Sequence, residues 1–252
     1  MVSVFFKNKK GERLAGLLFG ENSPDVPVVI VCHGFTGSKE GRGKAVEMAQ
    51  LLERNGYACL LFDFAGCGES EGKFEDLTLS GHIEDLTCAV DFCLERGLGP
   101  VITLGRSFGG STAICQAASD SRVSAVCTWA APASLMDLFL NFTDGDLPEN
   151  ENALIPMEGA EGIIYLKRSF FTDLASHDIS RCSSLISPRP LLVVQGTGDE
   201  VVPPAEASVI YDAAGSPREI AYIEGADHQF SAHYEKAWAI LLDWLKKAKR
   251  GA

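Results

Sequence analysis

Eight short apolar runs, the later ones separated by segments of helix length, constrain the fold of this chain more than any other feature. The runs are Val2 to Phe6, Leu14 to Phe19, Val28 to Cys32, Ala58 to Phe62, Val101 to Leu104, Ser124 to Trp129, Pro190 to Val194 and Glu219 to Ile223. Gly43 to Asn55, Gly81 to Leu94, Ser111 to Ala118, Ala205 to Ala213 and Ser231 to Lys247 supply the helices. From the third run onward strand and helix alternate, which predicts β-α units and a mainly parallel sheet. The first two runs, joined by the turn Lys7 to Glu12, predict an antiparallel hairpin at the sheet edge. Between Ala133 and Pro188 the rhythm stops, and residues 134–187 are expected to form a small lid inserted after the sixth strand. Its Phe139, Phe142, Ile164, Tyr165, Phe170 and Phe171 are candidates for lining an acyl or aromatic pocket, Phe139, Phe142 and Tyr165 first among them, with packing of the lid itself as the competing role of each. A chain of 252 residues suffices for one such domain, and no second domain is needed.

Gly105-Arg106-Ser107-Phe108-Gly109 stands between the fifth apolar run and a helical segment. In a strand-turn-helix setting a G-x-S-x-G element lifts the serine hydroxyl above the sheet, and its glycines avoid collisions with the neighbouring strand and helix. Ser107 is therefore the candidate nucleophile. A serine hydroxyl needs a base, normally a histidine whose other ring nitrogen is held by a carboxylate. Asp199, in Gln195-Gly196-Thr197-Gly198-Asp199, follows the seventh run, and His228, in Gly225-Ala226-Asp227-His228, follows the eighth. Glu200 and Asp227 compete for the acid role. Asp199 is preferred because it stands directly after the glycine turn, whereas Asp227 is expected to point away from its neighbour. His33 precedes a loop and is expected to make a structural hydrogen bond, while His82, His177 and His233 suit packing or surface roles. Asp63 ends the fourth run and, with Ser70, is expected to brace the loop Gly66 to Gly72.

Acyl transfer also requires N-H groups where negative charge develops. His33-Gly34-Phe35-Thr36-Gly37-Ser38, after the third run, and the turn after Ser107 offer the backbone donors Phe35 and Phe108. Taken together, His33 to Gly37, Asp63-Phe64-Ala65-Gly66-Cys67-Gly68-Glu69-Ser70, Gly105 to Gly110, Asp199 and His228 resemble the α/β-hydrolases. The likeness is narrower still to small bacterial and archaeal esterases with an HGF-T-G loop, cinnamoyl (feruloyl) esterases among them. It spans nearly the whole chain. The order serine, aspartate, histidine is the one that fold uses. The resemblance implies a serine esterase with Phe35 and Phe108 as oxyanion donors and no metal or organic cofactor. Arg106 departs from the histidine that such proteins usually carry before the serine, which bears on substrate preference more than on chemistry. Acyl-peptidase and thioesterase activities share the fold and triad, and a non-catalytic ligand-binding homologue is the alternative of another class.

The net charge of −12 disfavours nucleic acid and anionic membrane as partners, leaving a small-molecule ester and a monomer or homodimer. Of eight cysteines, Cys32, Cys59 and Cys127 lie in strand runs and Cys88, Cys93 and Cys115 in helical segments, so buried free thiols are expected. With no C-x-x-C pair and no signal-peptide pattern at the N-terminus, the sequence predicts a cytoplasmic protein. Cys67, in a glycine-rich loop, is expected to be the exposed, oxidisable thiol.

Overall fold

The computed structural model describes residues 1–20, 26–143, 147–159 and 162–251. The first two apolar runs form the antiparallel pair β1 (Val2–Lys7) and β2 (Arg13–Phe19), and β2 docks antiparallel on β4 (Ala58–Phe62). The other runs form β3 (Val28–Cys32), β5 (Val101–Arg106), β6 (Val123–Trp129), β9 (Leu191–Gly196) and β10 (Arg218–Ile223), all pairing in parallel. The eight-stranded sheet runs β1-β2-β4-β3-β5-β6-β9-β10, so all eight strands read from sequence are present and the hairpin stands at the edge.

Side-chain alternation on these strands feeds two cores. Val28, Ile30, Leu60 and Phe62 face a layer holding α2 (Leu79–Glu95), α3 (Phe108–Ser119) and α7 (Pro204–Ala213). Val29, Cys59 and Leu61 face α1 (Lys44–Arg54) and α8 (Tyr234–Gly251), which contribute Met48, Leu52, Leu241 and Trp244. Helices on both faces explain why the central strands read as unbroken apolar runs.

The stretch after β6 is an insertion of α4 (Leu135–Leu140), β7 (Leu154–Gly159), β8 (Gly162–Lys167), α5 (Arg168–Leu174) and α6 (Ile179–Ser184). β7 and β8 make a separate antiparallel pair. Its inner face, Ile155, Met157 and Leu166, joins Phe170 and Phe171 in the main core, and outward lie Leu154, Ile163 and Tyr165. Glu206 of α7 ties the start of the insertion down by accepting from the Ala133 and Ser134 N-H groups, each at 2.7 Å. Gly145, within the acidic part of this stretch, lies outside the described residues.

Cys67 corrects an expectation. It is 6% exposed, and burial pushes its thiol up to about 12. The glycine-rich loop is not open: positive φ at Gly66 and Gly68 folds it tightly over the buried Asp63 carboxylate.

Candidate active site

The turn after β5 places Ser107 at φ 54°, ψ −127°, a conformation that non-glycine residues rarely adopt and that costs on the order of 1–3 kcal/mol. The turn is held by the Ser107 N-H donating to Trp129 O at 2.8 Å and by Gly110 N-H donating to Ser107 O at 2.7 Å. Its glycines are steric necessities. A Cβ on Gly105 would lie 2.1 Å from Gly109 O, and one on Gly109 would lie 2.4 Å from the carbonyl oxygens of Cys32 and His33.

Adjacent parallel strands bring the other two residues to the same edge. β9 leads into the turn carrying Asp199, β10 leads into the turn carrying His228, and Gly198 N-H donates to Ala226 O at 3.0 Å to lock the turns together. Ser107 Oγ lies 3.1 Å from His228 Nε2, and His228 Nδ1 lies 2.9 Å from Asp199 Oδ2. The Asp199 carboxylate also accepts from Val201 N-H at 2.9 Å, Val202 N-H at 2.8 Å and Gln195 Nε2 at 3.0 Å. Burial pushes its pKa up, but His228 and these N-H donors outweigh that and hold it below the usual carboxylate range. Of the rival acids, Glu200 is exposed and Asp227 accepts from the Ser231 N-H at 2.7 Å, facing away from His228. Asp199 alone reaches the imidazole.

His33 is structural. Its Nε2 accepts from Phe64 N-H at 3.2 Å, so Nδ1 carries the proton and donates to Gly34 O at 2.8 Å. Burial lowers its pKa and keeps it neutral. Asp63 braces the same region, accepting from Lys39 N-H at 2.6 Å, Lys39 Nζ at 2.8 Å and Glu69 N-H at 2.9 Å, while Ser70 Oγ donates to its carbonyl at 2.6 Å. The loop so held lies against Ser107: a Cβ on Gly34 would sit 3.4 Å from Ser107 Cβ. Among the described residues, neither Phe35 N-H nor Phe108 N-H has an acceptor within the protein.

Ser107 and His228 open into a cavity of about 570 Å³. Phe35, Leu138, Phe139, Phe142, Met157 and Ile164 form an aromatic and aliphatic wall, with the Phe35 and Phe139 ring centroids 4.7 Å apart. Tyr165 is not part of it. The register of β8 turns Ile164 inward and leaves Tyr165 50% exposed on the opposite face. Sequence reasoning missed Gln195, whose signal was a polar residue closing an apolar strand run. It also missed the contributions of α1 and α8, Met48, Tyr234 and Trp238, which no local pattern announces. Among the described residues no group of three or more metal-ligating side chains is assembled.

A family model described as the alpha/beta hydrolase fold matches residues 27–156. The chain belongs to the α/β-hydrolase family. This hydrolase is 30% identical over 241 residues to the uncharacterized protein YfhR of Salmonella typhi, covering 92% of this chain and 76% of that one. It is 27% identical over 222 residues to the putative esterase YitV of Bacillus subtilis, covering 81% and 83%. Est1E of Butyrivibrio proteoclasticus, solved with ferulic acid bound, superimposes with a TM-score of 0.86 over 98% of this chain and 99% of its own, at 22% identity. At that identity the likeness establishes the shared fold.

Proposed function

We propose that this α/β hydrolase cleaves carboxylic esters of short or aromatic acyl groups through an acyl-enzyme on Ser107. The observation that carries the reading is the unbroken chain Ser107 Oγ, His228, Asp199 opening into a cavity walled by Phe35 and Phe139. His228 Nε2 takes the Ser107 proton as Oγ attacks the ester carbonyl, and the N-H groups of Phe35 and Phe108 receive the oxyanion. His228 returns the proton to the leaving alcohol, then takes one from the water that attacks the acyl-serine and passes it to Ser107 Oγ as the acid leaves. Asp199 holds the imidazole in the tautomer that leaves Nε2 free to accept, and stabilises it when charged. Residues 134–187 act as the lid, supplying Phe139, Phe142, Met157 and Ile164 to the acyl wall. Cysteines packed into the core as thiols support a cytoplasmic setting, and no helix among the described residues is long and apolar enough to cross a membrane.

The test is kcat/KM across p-nitrophenyl esters from acetyl to palmitoyl, with methyl hydroxycinnamates, acyl thioesters and aminoacyl anilides alongside. Each methylene adds roughly 0.8 kcal/mol of burial only while the wall has room for it, so activity is expected to peak at short chains and to extend to hydroxycinnamates. Values that rise through palmitoyl, or cleavage of thioesters or anilides without ester turnover, would overturn the assignment.

A further inference from the structure

The cavity has a second wall that ester cleavage itself does not require. Arg106, Gln229, Arg42, Lys44, Tyr234 and Trp238 form it. Arg106 donates through Nη1 to the Gln229 amide oxygen. Its Nη2 lies 3.4 Å from the point where a Cβ on Gly34 would sit, the same point that is 3.4 Å from Ser107 Cβ. The guanidinium thus stands beside both the nucleophile and the oxyanion loop. Among the described residues neither Arg106 nor Arg42 forms an ion pair, whereas Lys44 is paired with Glu47 at 2.7 Å. Burial pulls the Arg106 pKa down and the nearby Arg42 charge pulls the same way, while Tyr234 and the Asp199 carboxylate pull it up. Arg42 itself sits at φ 54° between Gly41 at 52° and Gly43 at 87°, a left-handed run in which a side chain is strained. Two arginines without an ion-pair partner among the described residues therefore bring positive charge to one side of an active-site cavity, in a chain whose net charge is −12. The carboxylate side chain among the lining residues, Glu158, comes from β7 with the apolar wall.

We propose that the substrate is an ester whose alcohol portion carries a small oxyanion, a carboxylate or a phosphate, held by Arg106 within the field of Arg42 while the acyl portion fills the aromatic wall. The assignment rests on the ester-hydrolase reading above. Arginine suits the task because its planar fork meets either oxyanion through two parallel hydrogen bonds. Gln229 fixes the fork without neutralising it, which leaves the charge for the ligand.

Phenylacetyl esters of glycolate, of glycolamide and of 2-hydroxyethyl phosphate give a matched series, each kcat/KM being divided by the ester's own rate of alkaline hydrolysis. The better of the two anionic esters is expected to exceed the neutral glycolamide ester about tenfold or more in wild type, the scale of a charge-assisted hydrogen bond. Which anion wins identifies the group. Arg106→Gln, which removes the charge, is expected to bring that ratio to within about twofold of unity, and Arg106→Lys, which keeps the charge and loses only the fork, to retain part of it. Because the ratio is taken within one preparation, partial misfolding of a variant cancels. A wild-type ratio of one or less, or a ratio that Arg106→Gln leaves unchanged, overturns the proposal while leaving the esterase reading intact. Failure of the folded wild type to turn over p-nitrophenyl acetate or any ester of the series overturns the esterase reading and the proposal with it.

Discussion

At the scale of single residues, the candidate triad was legible because each member lies in the turn that follows a strand, and the turns past the ends of neighbouring parallel strands meet at one edge of the sheet. Asp199 was preferred over Asp227 because it stands directly after the glycine turn and Asp227 was expected to point away from its neighbour, and the hydrogen bonds separate them: one carboxylate binds His228 at 2.9 Å, the other accepts from the Ser231 N-H. Asp199→Asn is expected to lower kcat about 10⁴-fold, since an amide there favours the wrong imidazole tautomer. Asp227→Asn keeps an oxygen that accepts from the Ser231 N-H and loses only a charge that faces away from His228, so it is expected to cost less than about threefold, a loss of under 1 kcal/mol. Steady-state kinetics on p-nitrophenyl acetate decide it, and equal losses would leave the acid unassigned. What stayed hidden at this scale depends on facing. Tyr165 and Ile164 are both apolar neighbours on β8, and only the register tells which enters the cavity. Cys67 looked exposed because its neighbours are glycines, yet those glycines are what let the loop close over it.

At the scale of elements, all eight strands of the main sheet were readable because strands covered on both faces are continuous apolar runs. The β7–β8 pair was not. Its outward positions Leu154, Ile163 and Tyr165 are as apolar as its inward ones, so the period-two signal vanishes. The helix following Ser107 was placed correctly but starts earlier than its apolar residues suggested, at Phe108, because the glycine turn feeds directly into it. That junction holds the closest approach to the place a glycine's Cβ would take among the described residues. With Gly109 O only 2.1 Å from a Cβ on Gly105, Gly105→Ala must separate β5 from α3, and overpacking of a rigid backbone contact costs about 3 kcal/mol or more. The variant is expected to show a clearly lowered urea midpoint or to be recovered insoluble. A midpoint within error of wild type would mean that the junction is looser than its geometry indicates.

At the scale of the whole molecule, the sheet acts as a bracket. Strands β5, β9 and β10 are distant in sequence, yet their parallel pairing through β6 fixes the spacing that Ser107, Asp199 and His228 need. Helices α1 and α8 and the insertion then enclose the space above, and this is where sequence reasoning ends: a helix pattern says which face is buried, not which side chain overlooks a site. The negative surface and the locally positive wall at Arg42 and Arg106 are likewise a whole-molecule contrast that net charge alone conceals. In the proposed reaction one strained serine, activated by His228, does the chemistry. Labelling with a fluorophosphonate followed by peptide mapping by mass spectrometry tests it most directly. The expected result is a single adduct on Ser107 in the wild type, formed in step with loss of esterase activity, and no adduct in folded Ser107→Ala, whose turnover falls by several orders of magnitude. An adduct that persists in the variant, or ester turnover that survives the loss of Ser107, would contradict it.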